Sequence, residues 1–101
     1  MDLYHPLTST QSFALHNYVV TYWQLDGRMQ HQYNRLRHDD MYDLWWDIYG
    51  NLQLNKSLVE LEFTLNDGSR FCNNWPRYVQ GCAILLFRIE QFEAALKMRN
   101  L

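Results

Sequence analysis

The chain has 101 residues, of which 48% are hydrophobic and 16% aromatic. This length suits one domain and leaves little room for two, and the aromatic content argues against a disordered chain. The net charge of −2 argues against a nucleic-acid binder that relies on a generally basic surface. We therefore expect a single folded domain over residues 1–101.

We expect residues 1–7 to form an irregular arm. They lack the basic start and the apolar stretch of a signal peptide. The longest uninterrupted apolar run, residues 82–87, is far shorter than the ~20 residues that span a bilayer. The two cysteines are too few for the disulfide framework of a small secreted domain. These features predict a cytoplasmic protein without a membrane segment.

The first predicted unit covers residues 8–50 and begins with a helix signal. Gln11 follows Thr8 by three residues, which is the spacing of a capping box. This spacing predicts a short helix over residues 9–16 with Phe13 turned inward. The same stretch also fits a backward extension of the strand that comes next.

A β-hairpin is predicted after this helix, because residues 18–25 are rich in β-branched and aromatic side chains. Asp26 and Gly27 suit a tight turn, and residues 28–34 return as the second strand. A two-residue loop and a three-residue loop both fit the hairpin, and they turn opposite faces of its strands toward the core. The register, and with it the burial of Trp23, therefore stays open.

A second helix is predicted to follow the hairpin, because Asp39 and Asp40 can cap free N–H groups at its start. Gly50 provides a stop at its C-terminal end, and residues 51–57 form a linker. Apolar residues at helical spacing form its buried stripe: Met41, Leu44, Trp45, Ile48 and Leu52.

The second predicted unit covers residues 58–101 and begins with a strand. Apolar and polar residues alternate over residues 59–65, which predicts a strand buried on one face. A three-residue loop at positions 66–68 pairs Phe63 with Phe71 and keeps that face of the hairpin apolar.

The last predicted helix starts near Pro76, because a proline in the first turn loses no hydrogen bond, and it runs to about Met98. Residues 84–87 make its middle apolar nearly all round, so we expect burial on most sides, in the domain or against a partner. Its main stripe comprises Val79, Cys82, Ala83, Leu86 and Ile89, continued by Phe92 and Leu96.

The two units align at an offset of 41 residues, which superimposes Asp26 and Gly27 on Asp67 and Gly68. An imperfect internal duplication and the shared physics of ββα segments both explain this match. The predicted fold class is α+β: two tandem ββα units that form a four-stranded antiparallel sheet with helices on one face.

Residues for chemistry are scattered along the chain. The four histidines and two cysteines lack the close spacing of a structural zinc site, and no nucleophile set or glycine-rich phosphate loop has a recognisable spacing. We therefore predict no cofactor, no metal and no enzymatic activity, and the sequence resembles no family that we recognise.

The acidic middle of the chain is the main candidate site. Exposed Trp and Tyr are the usual anchors of protein interfaces, and acidic groups steer association with basic partners. An ordinary solvated face explains the same acidic residues without a partner. The predicted partner-binding residues are Tyr42, Asp43, Trp46, Asp47, Tyr49, Glu60 and Glu62.

These residues predict an inhibitor-like protein that covers a basic, nucleic-acid-binding surface of a partner, such as a nuclease. Immunity proteins and phage anti-defence proteins are analogies of size and surface only. The apolar middle of the last helix, or a sheet edge, is also compatible with a homodimer.

The alternative function is nucleic-acid binding by the first hairpin. Arginine and aromatic side chains on a hairpin suit stacking on single-stranded bases, and such binding falls steeply with salt. The residues predicted for this alternative are Arg28, Tyr33, Arg35 and Arg37.

Overall fold

The computed structural model is a bundle of three α-helices, and it describes residues 7–36, 40–66 and 69–99. Helix α1 spans Ser9–Tyr33, α2 spans Asp40–Asn66 and α3 spans Ser69–Arg99. The bundle is elongated and measures 59 × 21 × 18 Å. Across the described part of the chain there is no β-strand, so the predicted α+β fold with a four-stranded sheet is wrong.

Helix α1 begins where the capping box predicts. The backbone N–H of Gln11 donates to the side-chain oxygen of Thr8 at 3.1 Å, and the Gln11 side chain accepts from the Thr8 N–H at 3.0 Å. The helix then continues through the predicted strand at residues 18–25 and the predicted turn at Asp26 and Gly27. The prediction of a first hairpin is therefore wrong.

Helical spacing of buried residues explains why α1 does not break. One side of the helix is buried at intervals of three and four residues, and burial of a whole stripe outweighs the local β preference of its side chains. Phe13, which was predicted to turn inward, is 70% exposed, and Ala14 takes the inward place instead. The buried residues of α1 are Ala14, Tyr18, Tyr22, Leu25 and Met29.

Helix α2 begins at Asp40 and buries most of its predicted stripe, although Leu44 is exposed. Gly50 does not end it, and the helix runs through the predicted linker and strand to Asn66. A strand over residues 59–65 would place alternate side chains inward. The helix instead buries Val59 and exposes the next-but-one residue, Leu61. Position 39, the other predicted cap, lies outside the described residues.

Helix α3 begins at Ser69, so Pro76 lies inside it and not in its first turn. The early start buries Phe71 completely, and this burial offsets the hydrogen bond that the proline removes. The predicted stripe is rotated, because Val79 and Ala83 are exposed. Its observed members are Phe71, Tyr78, Cys82, Leu85, Ile89, Phe92 and Leu96. Positions 67 and 68 of the predicted second turn lie outside the described residues.

One hydrophobic cluster runs through all three helices, and polar contacts between neighbouring helices set their registers. Each pair of helices has at least one such contact, and helices α1 and α2 have several. These contacts are Tyr18 to Asn55, Tyr22 to Gln53, Tyr49 to Asp26, Arg28 to Glu93 and Arg88 to Asp47. None of the three described helices has a stretch both long enough and apolar enough to span a bilayer.

Candidate functional site

Five aromatic side chains meet at the end of the bundle where α1 ends and α2 begins. Four come from successive turns of α2, where residues three and four apart are neighbours on the helix surface. The fifth comes from the last turn of α1, which lies beside the first turns of α2 because the two helices are antiparallel. We call this set the aromatic cluster, and it comprises Tyr33, Tyr42, Trp45, Trp46 and Tyr49.

Trp45 anchors the aromatic cluster to the core. Its side chain is only 3% exposed, and its indole Nε1 donates a 2.7 Å hydrogen bond to the main-chain carbonyl of Met29. Its ring stacks on Tyr49 with centroids 4.6 Å apart and an interplanar angle of 17°. A buried indole with its N–H satisfied holds one orientation, so Trp45 is a rigid base for the exposed rings.

Trp46 is the exposed member of the cluster, and 47% of it is accessible. Its ring meets Trp45 edge-on at 4.9 Å and 86°. The rings of Tyr33 and Tyr42 lie 6.0 and 6.3 Å from it. Trp46 is therefore held in place by its neighbours while about half of it faces solvent.

Hydroxyl groups connect the tyrosines of the cluster. The hydroxyl oxygens of Tyr33 and Tyr42 are 3.5 Å apart. Hydrogen bonding to Tyr33 and to Trp46 lowers the pKa of Tyr42, while the bond to Tyr42 raises the pKa of Tyr33. Either hydroxyl can be the donor in this contact.

Tyr49 closes the inner side of the cluster against α1. Its hydroxyl donates to a carboxylate oxygen of Asp26 at 2.7 Å. Burial, followed by this hydrogen bond, raises the pKa of Tyr49 to about 12. The ring is therefore a structural member of the cluster, with its polar end already bonded inside the bundle.

The predicted acidic residues near the start of α2 divide into two environments. Asp40 and Asp43 lie exposed in the first turn, where their charge suits the positive end of the helix. Asp43 is adjacent in sequence to Tyr42 and interacts with it electrostatically. Asp47 instead accepts a 2.5 Å hydrogen bond from Arg88 of α3. Asp43 therefore lies beside the aromatic cluster and takes no part in the ion pair between Asp47 and Arg88.

Glu60 and Glu62 lie away from the aromatic cluster. Seventeen residues separate Asp43 from Glu60, which is roughly 26 Å along a helix. Glu60 pairs with Lys56 at 3.6 Å, and Glu62 is mostly buried and accepts from Asn74 at 2.9 Å. Residues two apart also leave a helix on nearly opposite sides, so the structure does not bring these glutamates together.

The residues predicted for nucleic-acid binding are also separated. Arg28 turns toward α3, where its guanidinium bonds to Glu93, and this bond raises the pKa of Arg28. Tyr33 turns toward α2 and joins the aromatic cluster. Arg35 lies exposed just after α1, and Arg37 lies outside the described residues.

A second group of rings, at the other end of the bundle, provides a comparison. Phe71 is completely buried at its centre and stacks on Tyr78 with centroids 5.6 Å apart. This group is hydrophobic core, because its rings pack around a side chain without access to solvent. Its members are Tyr18, Phe63, Phe71, Trp75 and Tyr78. The accessibility of Trp46 is what distinguishes the aromatic cluster.

Sequence reasoning found Tyr42, Trp46 and Tyr49 but missed two features of the cluster. It assigned Tyr33 to a different function and treated Trp45 only as core. The spacing of four between Trp45 and Tyr49 is a helical signal for contact. The proximity of Tyr33 had no local signal, because it depends on the antiparallel packing of α1 and α2.

Among the described residues, no group of three or more His, Cys, Asp or Glu is arranged to bind a metal ion. Comparisons with protein families, curated proteins and solved structures give no match to this chain.

Proposed function

We propose that this chain is a non-enzymatic binding protein that contacts a basic partner protein through the exposed side of the aromatic cluster. The observation that carries the proposal is Trp46, which is half-exposed although four neighbouring rings hold it in place. Little conformational freedom is lost when such a side chain is buried by a partner. Trp and Tyr in this setting are typical hot spots of protein interfaces.

The chemistry beside Trp46 supports a basic partner. Asp40 and Asp43 are exposed in the first turn of α2, and Asp43 is adjacent in sequence to Tyr42 of the cluster. Acidic groups at the rim of an interface accelerate association with a positively charged surface and disfavour acidic partners. The partner that we propose is a nuclease or a nucleic-acid-binding complex, whose basic surface would be covered and thereby inhibited.

We propose that the protein acts in the cytoplasm. Both cysteines are free, and a reducing compartment keeps such thiols unpaired. Burial raises the pKa of the Cys82 thiol, which favours an inert, protonated side chain.

Direct binding to single-stranded nucleic acid has less support. Such binding needs basic and aromatic side chains along one groove. Arg28 turns toward α3 and Tyr33 toward α2, and the charge of Arg28 is already compensated by Glu93. We therefore keep this function as the alternative outcome of the experiment.

The test is affinity capture from lysate of the source cell, with and without nuclease treatment, using tagged wild-type protein and two tryptophan variants. We expect wild type to retain a basic protein at stoichiometric amounts and Trp46→Ala to lose it. Trp23→Ala is the matched control, because Trp23 is 73% exposed on α1 and is not a member of the cluster. This variant should retain the partner.

Two results would overturn the proposal. Equal capture by wild type and Trp46→Ala would show that the cluster is not the contact surface. Loss of every partner after nuclease treatment would favour the nucleic-acid alternative. Asp43→Lys tests the contribution of charge, because it reverses an exposed charge and leaves the rings in place. We expect this variant to weaken capture while the helical circular dichroism stays unchanged.

A further inference from the structure

Helix α3 carries a second stripe on the side opposite its core stripe. Its members follow one another at intervals of four and three residues, which is the spacing of a coiled-coil seam. Every one of them is exposed and none is charged. This outer stripe comprises Gln80, Ile84, Phe87, Gln91, Ala94 and Met98.

Leucines of α2 extend this surface. Leu54, Leu58 and Leu61 are exposed and recur at intervals of four and three, so they share one side of α2. The ion pair between Asp47 and Arg88 shows that Asp47 lies on the side of α2 that borders α3. Leu54 lies two helical turns after Asp47 and is therefore on the same side.

The register between the two helices brings the leucines and the outer stripe together. Ile84 lies one turn before Arg88 on α3, on the same side as the ion pair. The close approach of Gly81 to Asn55 fixes the register a second time. Ile84 therefore lies within about one turn of Leu54 along the bundle. We call the combined surface the α2–α3 face.

The size of the α2–α3 face suits a protein interface. Six large apolar side chains contribute to the face, and each is about half-exposed or more; Phe87 is 61% and Ile84 54% exposed. The six are Leu54, Leu58, Leu61, Ile84, Phe87 and Met98. Their summed exposed area is on the order of 600 Å², distributed along the length of the face. A standard interface buries ~800 Å² on each partner, so these side chains can supply much of one.

The charge of the α2–α3 face selects the occupant. Asp47 and Arg88 neutralise each other at 2.5 Å, so the middle of the face has no net charge. A strongly basic or acidic partner would gain nothing from this neutral pair, whereas two copies of the outer stripe, which has no charged member, meet without repulsion.

We propose that a second copy of this chain covers the α2–α3 face in a two-fold symmetric dimer, with the two α3 helices antiparallel. In an isologous contact the same patch serves both subunits. Ile84 of each copy faces Phe87 of the other, and Gln80 faces Gln91. The apolar pair lies at the two-fold axis and the amide pairs lie on either side. The aromatic cluster lies on the α1 side of α2 and is not needed for this contact.

The experiment is sedimentation equilibrium of the full chain over a range of concentrations. We expect wild type to sediment at twice the 12.3 kDa of the chain. Phe87→Glu places a charge in the apolar contact and should raise the dimer dissociation constant at least about 30-fold. Phe13→Glu is the matched control, because Phe13 is also a highly exposed phenylalanine but lies on α1.

Circular dichroism of both variants checks that the helices are intact, and exposure of both phenylalanines makes this the expected result. A monomeric mass for wild type at all concentrations overturns the proposal. Dissociation of the dimer by Phe13→Glu, or an unchanged dimer in Phe87→Glu, overturns it as well, because the contact would then lie on another face.

Discussion

The indole of Trp45 donates a hydrogen bond to the main-chain carbonyl of Met29 and thereby joins α2 to the end of α1. Its neighbour Trp46 contacts the same group of rings from the solvent side. Two consecutive tryptophans thus have separate roles, one in the core and one at the surface.

Trp45→Phe should lower the free energy of unfolding by about 2 kcal/mol, because it removes a buried hydrogen bond and leaves a void. Trp46→Phe should cost less than about 1 kcal/mol, because the replacement keeps a ring at a half-exposed position. Urea unfolding followed by circular dichroism measures both. Equal losses in the two variants would contradict the assignment of roles.

Gly27→Ala should raise the free energy of unfolding by about 1 kcal/mol, because alanine favours the helix and an added Cβ meets no atom within 4 Å. A tight turn at the same position would give the opposite sign. Gly81→Ala is the control: its Cβ would lie 3.1 Å from the side-chain nitrogen of Asn55, so we expect a smaller gain. Thermal and urea unfolding compare the two, and destabilisation by Gly27→Ala would argue against a continuous α1.

Phe71→Ala should destabilise the bundle by about 3–5 kcal/mol, because Phe71 is completely buried among other rings. Phe13→Ala should change stability by less than about 0.5 kcal/mol, because that side chain is exposed. Denaturant midpoints of the two variants test the orientation of both helices. A large loss for Phe13→Ala would restore the inward position that the sequence predicts.

Stability should fall at alkaline pH. Burial, followed by a hydrogen bond, raises the pKa of Tyr49 and of Tyr78 to about 12, from an ordinary value of 10.0. A tyrosine whose pKa is raised on folding contributes its full stability below pH 10. That contribution is lost as the pH rises through about 12.

Free energies of unfolding in urea at about pH 8 and about pH 11 measure this loss. Replacement of both tyrosines by phenylalanine should reduce the pH dependence, although it also removes their hydrogen bonds. A wild-type stability that stays constant over this interval would contradict the raised pKa values.

Some elements were predictable because their signals are local. The capping box of Thr8 and Gln11 defines the start of α1, and Asp40 begins α2 as expected. Phe92 and Leu96 continue the buried side of α3, as their spacing predicts. These predictions succeeded because a cap or a stripe involves residues within one or two turns of each other.

Other segments contain two periods at once, and only packing selects one of them. Residues 59–65 alternate like a strand, yet Val59 and Phe63 are also one helical turn apart and pack inward from α2. Residues 18–25 have strand-like composition, yet Tyr18, Tyr22 and Leu25 lie on one helical stripe. Burial against the neighbouring helices decides in favour of the helix, since it outweighs local preference.

The aromatic content, the low net charge and the local helix signals of this protein can be read from its residues alone. Which residues meet depends on how the helices pack. Tyr33 lies beside Tyr42 and Trp46 only because α1 and α2 are antiparallel. The carboxylate of Asp47 is occupied by an ion pair only because α3 places Arg88 next to it. Both relationships join residues of different helices, and no local pattern encodes the register between helices.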